Sequence, residues 1–176
     1  VQCSSTAQES NTPSVYSNLC AGLGMTYGGY GASAEAGIKH FSAFASFGYA
    51  PPTVDGLVII DPSFNYHFGM RYYLNVGSNL IFPRVGLSYG WITNYYDQRI
   101  GNRNYLQTVD GLCGQIGVQF YSTEGIVVNF DLAMSGAALV THQSVHPYFF
   151  NFYLRPCIGI GYDLSRIYNR DRGEQI

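Results

Sequence analysis

Apolar and polar residues alternate with a period of two along most of this chain, and the alternation recurs in eight separate runs. In an extended strand that period sends successive side chains to opposite faces, so each run predicts a strand with one apolar and one polar face. The runs occupy residues 15–27, 31–38, 41–49, 63–74, 81–91, 112–120, 126–135 and 148–164. The fourth is the clearest. Phe64, Tyr66, Phe68, Met70, Tyr72 and Leu74 alternate with Ser63, Asn65, His67, Gly69, Arg71 and Tyr73, and residues 58–62 upstream keep the same parity. In the first run Leu19, Leu23, Met25 and Tyr27 share the apolar face, and in the fifth Trp91 shares it with Val85, Leu87 and Tyr89.

Charge then tests the parity. Glu35, Asp61, Arg71, Arg84, Asp131, Arg155 and Asp163, the charges well inside the runs, all take the polar face; random parity would give that agreement about one time in a hundred. Two architectures suit such strands. A soluble sandwich or lipocalin-like barrel turns the apolar face inward, whereas a transmembrane barrel turns it outward to lipid. The polar face is poor in charge for a solvated surface and rich in glycine, including Gly22, Gly37, Gly69, Gly117 and Gly159, and small inward residues leave room for arginine and tyrosine in a narrow lumen. Connections alternate between short (39–40, 75–79, 122–125) and longer (51–57, 95–107, 141–146), as in membrane barrels with short periplasmic turns. Tyr27, Tyr49, Tyr89, Trp91, Tyr95 and Tyr148 are expected in an outer aromatic girdle and Phe41, Tyr72, Phe120 and Tyr162 in an inner one. The predicted fold is all-β: an eight-stranded antiparallel up-and-down transmembrane β-barrel with a plugged polar lumen. It covers residues 15–164, after a polar N-terminal segment (1–14) and before a C-terminal tail (165–176), with both termini on the periplasmic side.

Composition agrees. Of 176 residues only 11% are charged and 16% are aromatic, with mean hydropathy near zero, against about a quarter charged in soluble domains. A spanning helix needs about 20 consecutive apolar residues, and the longest charge-free stretch, 132–154, is interrupted by Thr141, His142, Gln143, Ser144, His146 and Pro147. The opening residues are polar, without a basic-then-apolar leader, so a processed chain is expected. Net charge is −2 and the basic residues are dispersed, which leaves no footprint for nucleic acid.

On this pattern the region 15–164 resembles the small eight-stranded outer-membrane barrels, the class of the OmpA transmembrane domain and OmpX. Its end, Gly159-Ile160-Gly161-Tyr162-Asp163-Leu164, looks like the signal read by the barrel-insertion machinery: Gly159, then a hydrophobic residue three later, Tyr162, and another two after that, Leu164. The stretch Pro83-Arg84-Val85-Gly86-Leu87-Ser88-Tyr89-Gly90-Trp91 is similar to small barrels of Bacteroidota. The resemblance implies the bacterial outer membrane as location, with its lipid and lipopolysaccharide as surroundings.

Four constellations could carry chemistry. The lumen charges Glu35, Arg71, Arg84, Asp131, Arg155 and Asp163 read as a packed salt-bridge network. Counting from turn centres places Asp131 beside Arg155 and Arg71 opposite Arg84, with Glu35 or Asp163 as counter-anion. An eight-stranded lumen is just wide enough to be filled by side chains, so a general porin is not expected. Cys20 and Cys157, inward on the strands that close the barrel, are candidates for a disulfide, with free thiols as the alternative. His142 and Ser144 form a His-x-Ser pair of the kind lipid A deacylases use, but no glutamate is placed to orient the histidine. The tail, with Arg166, Arg170 and Arg172, is either a free end or a periplasmic docking segment. No His, Cys or Asp spacing reads as a metal site, and no cofactor is expected. The leading expectation is a non-enzymatic barrel acting as an accessory or structural subunit beside a larger outer-membrane protein; the alternative is a lipid A-modifying enzyme using His142 and Ser144.

Overall fold

The computed structural model describes residues 15–55, 58–60, 62–74, 80–97, 105–139 and 153–165. Eight strands make the barrel: β1 (Val15–Gly24), β2 (Gly29–Ile38), β3 (Phe41–Ala50), β4 (Ser63–Tyr73), β5 (Ile81–Asp97), β6 (Tyr105–Tyr121), β7 (Ile126–Leu139) and β8 (Tyr153–Asp163). Each pairs antiparallel with its sequence neighbours, and β1 pairs with β8, so the sheet closes on itself. Closure leaves no free sheet edge around the paired girth of the barrel. Asn18 lies opposite Asp163, which puts the start of β1 and the end of β8 at the same end of the barrel.

The strands form because the alternation is kept almost without error. In β4, Phe64 is 71% exposed and Arg71 is 3% exposed; the same contrast runs through all eight strands. Polar side chains therefore fill the interior while Leu, Ile, Phe, Met and Tyr make the outer wall. A lipocalin-like barrel requires the opposite parity, so the soluble alternative is excluded by the direction in which the side chains point.

Two turns at the terminus end are tight and chemically specified. Lys39 takes a positive φ of 55° between β2 and β3. Between β7's start and the end of β6, Ser122 Oγ accepts the backbone N–H groups of Glu124 (3.2 Å) and Ile126 (3.0 Å), holding the reversal. Phe41, Tyr72, Phe120 and Tyr162 are exposed near this end, as the inner girdle requires, and the Phe41 and Tyr72 rings approach to 4.9 Å between centroids.

Besides a register shift between β6 and β7 at Leu112–Cys113, three features depart from the regular pattern. Val58–Ile60, upstream of β4 and of the same parity, pairs instead with Thr53–Asp55 as a separate small hairpin, so shared parity there does not mean a shared strand. β5 and β6 run 17 residues each, shortening the expected 95–107 connection, and their register shifts between Trp91 and Thr93. The added residue Ile92 is a β-bulge that ends the outward parity of Trp91: Trp91 and Ile92 are both buried. Finally, β1 stops at Gly24, and Met25–Tyr27 forms a single 3-10 turn. Met25 and Tyr27, expected on the outer wall, are 0% and 1% exposed. The turn has folded into the barrel.

Candidate functional site

Among the described residues the lumen is where this fold gathers chemistry, and it has two layers. In the layer nearer the terminus end, Glu35 of β2, Arg71 of β4, Arg84 of β5 and Asp131 of β7 meet across the barrel. Arg84 holds Asp131 with two parallel bonds, Nε to Oδ1 at 2.9 Å and Nη2 to Oδ2 at 2.7 Å, the bidentate geometry that suits guanidinium and carboxylate planes. Arg71 Nη1 donates to Glu35 Oε2 at 2.5 Å, while Ser42 Oγ at 2.6 Å and the Tyr73 hydroxyl donate to Glu35 Oε1. Two longer ion pairs complete the cycle, Arg71 with Asp131 at 3.6 Å and Arg84 with Glu35 at 3.7 Å.

Two cations and two anions cancel, which is how four charges persist at 5% exposure or less. Aromatic faces supply the rest of their surroundings. The Arg71 guanidinium lies 3.8 Å from the Phe44 ring centroid, an arrangement that further stabilises the cation, and Tyr16 meets Tyr73 edge-on at 5.7 Å.

The network therefore differs in its partners from the sequence expectation. Asp131 pairs with Arg84, not Arg155, because Asp131 is opposite Cys157 in register and Arg155 lies one inward step further from the termini, opposite Ala133. Arg155 turns instead to Thr93 Oγ1 at 3.3 Å and to the Trp91 ring at 5.9 Å. Arg71 is opposite Gly86, two residues from Arg84 on β5. Glu35 supplies the counter-anion. Asp163 is buried at the terminus end, where its Oδ1 accepts from the N–H (3.0 Å) and hydroxyl (2.5 Å) of Ser165.

The second layer, toward the opposite end, is the inward turn and its seat. Met25 and Tyr27 belong, with Ile92, Cys113, Ala133 and Cys157, to an apolar cluster enclosed by the barrel that continues through Cys20 to Val127 nearer the terminus end. Three side chains tether the turn: Ser46 donates to the Thr26 carbonyl (2.6 Å), Asn65 to the Gly28 carbonyl (3.1 Å) and Asn129 to the Tyr27 hydroxyl (3.3 Å). The Tyr27 ring sits where a Cβ on Gly22 of β1 or Gly159 of β8 would collide with it. Gly24 and Gly28, with φ of 113° and 69°, make the chain reversals on either side, at angles a side-chain-bearing residue rarely adopts. A Ser88–His67 pair joins the layers, with His67 Nε2 2.7 Å from Ser88 Oγ and Gln115 Nε2 donating to that same oxygen at 2.5 Å. His67 and Ser88 are almost fully enclosed, so they act as lumen filling.

The sequence contained a sign of this layer that alternation alone passes over: large residues Met25 and Tyr27 surrounded by Gly22, Gly24, Gly28, Gly29 and Gly31. Cys20 and Cys157 are both buried and both free thiols. Cys20 is opposite Gly161, four residues from Cys157, which is roughly 13 Å along a strand and beyond disulfide reach. Of the insertion-signal residues, Gly159 faces inward against Tyr27, and Tyr162 and Leu164 are exposed on the outer wall. His142 and Ser144, Tyr148, Asp61 and residues 166–176 lie outside the described residues, as do residues 1–14. Among the described residues no group of His, Cys, Asp and Glu could hold a metal ion.

No known family profile matches the chain, and no curated protein matches it. Among solved structures it is similar to the N-terminal β-barrel domain of Pseudomonas aeruginosa OprF, at 14% identity and a TM-score of 0.49 over 85% of this chain and 96% of that one. It is also similar to Ail, the attachment invasion locus protein of Yersinia pestis, at 11% identity and a TM-score of 0.47 over 85% and 95%.

Proposed function

We propose that this chain is a bacterial outer-membrane barrel that works through its outer surface, as an accessory or structural subunit beside a larger outer-membrane protein, and not as a pore or an enzyme. The observation that carries this reading is the inside-out distribution of side chains. A wall of exposed Leu, Ile, Phe and Met on every strand would present far more contiguous apolar area than a solvated protein tolerates, and a closed barrel is one of two structures that satisfy every backbone group in lipid.

With the lumen filled, binding is left to the wall, the rim and the two ends. In this reading the ends of the barrel chain face the periplasm, lipid and lipopolysaccharide surround the wall, and residues after Ser165 are available for periplasmic docking. Two measurements test it. Heat-modifiable migration and a need for detergent during extraction are expected; release into buffer without detergent would overturn the membrane reading. Purification from native membranes in mild detergent is expected to bring down a larger outer-membrane protein in fixed stoichiometry, and a lone monomer would overturn the subunit reading.

A further inference from the structure

We infer that the lumen is closed by two seals in series, of which the Met25–Tyr27 turn is a hinged stopper that can leave while the ion-pair layer remains shut. This rests on the barrel spanning a membrane. The two layers differ in chemistry and in attachment. The charged layer is tied to four different strands by ion pairs between side chains, so opening it requires moving the barrel wall or stranding a buried charge.

The turn, by contrast, is one short segment of backbone between residues with left-handed φ, Gly24 on one side and Gly28 and Gly29 on the other, and such residues absorb large backbone rotations. Its polar tethers are the Ser46, Asn65 and Asn129 contacts, none of them to a charged group. Its remaining hold is apolar packing against Ile92, Cys113 and Cys157. Swinging out would therefore uncover a cup at the end of the barrel away from the termini, lined by Ile92, Cys113 and Cys157 and by the tethering Ser46, Asn65 and Asn129, with the charged layer as its floor.

Native cysteines report on the two seals separately. Cys113 and Cys157 line the seat of the turn, and Cys20 lies deeper, within reach of Asn129. In a Cys3→Ser background refolded into lipid vesicles, a charged water-soluble maleimide is expected to leave the parent protein unlabelled over the assay. Met25→Ser with Tyr27→Ser is expected to expose Cys113 and Cys157 while the protein stays silent in planar bilayers. Only the addition of Glu35→Ser and Arg71→Ser should produce conductance steps.

Because the enlarged cavities threaten folding, a milder variant carries the same question. Ser46→Ala with Asn65→Ala removes two tethers and leaves the apolar packing of Met25 and Tyr27 in place, and should raise the labelling rate of Cys157 about tenfold. Unchanged labelling in that tether variant overturns the hinged stopper. Conductance from either two-residue seal variant alone, or silence from the folded four-residue combination, overturns two seals in series. A failure of the membrane reading is seen separately, as absence of a heat-modifiable, vesicle-inserted species in the parent protein.

Discussion

Arg84 shows how single residues in this lumen depend on one another. Its guanidinium holds both oxygens of Asp131 and also donates to the Tyr73 hydroxyl at 3.0 Å. Arg84→Ala removes the cation and leaves the Asp131 carboxylate buried without its main partner, which is expected to lower unfolding free energy by about 3–5 kcal/mol, measured by urea titration in lipid bilayers. Glycine at 159 is argued from space. Gly159→Val puts a branched side chain where the Tyr27 ring lies, and a loss of about 1–3 kcal/mol is expected. Tyr27→Ala frees that space, so the double variant should be more stable than the sum of the two losses predicts; strict additivity would remove the claim that the two residues share one site. At this scale the sequence was legible for direction and illegible for partner. Parity alone pointed Glu35, Arg71, Arg84 and Asp131 inward, but which cation meets which anion depends on strand tilt and register around the barrel, and a neighbour count along the chain does not contain those.

Among the elements, β5 carries the clearest lesson. Its alternation reads correctly from Ile81 to Gly90 and then loses meaning at Ile92, because one inserted residue turns the strand about its own axis. Two large apolar residues in succession, Trp91 and Ile92, were the visible sign, and a period-two reading has no way to register an insertion. The consequence is measurable because Trp91 is the only tryptophan. Brominated lipids should quench its emission weakly, and a Trp91→Phe, Phe47→Trp variant, whose tryptophan replaces a residue 60% exposed on the wall, should be quenched strongly. Equal quenching would place Trp91 back on the outer wall. The β1–β8 register makes a second prediction: in a Cys3→Ser background, Cys20→Ser should leave migration without reductant unchanged, since Cys20 and Cys157 are separated along the seam.

At the scale of the whole molecule, the number of barrel strands, their order and the sense of the wall were readable from alternation, while the small Thr53–Asp55/Val58–Ile60 hairpin was not. The reason is physical: a strand with one face in apolar surroundings has its register fixed by that face, and a slip of one residue would invert it. The inward turn escaped the same reading because it obeys packing and not periodicity; Met25 and Tyr27 are apolar on either side of a barrel wall.

That turn also bears on how the cylinder is completed. Strands β1 and β8 come from opposite ends of the sequence and share only the stretch from Asn18 opposite Asp163 to Leu23 opposite Ile158, so theirs is the joint that waits for the whole chain to be made. Tyr27 rests against glycines from both of these strands and is bonded by Asn129 of the next. It behaves as a keystone, with no socket until the joint has closed and a grip on both sides of it afterwards. A variant that weakens this grip should therefore show itself as slow maturation before it shows as a weaker final structure.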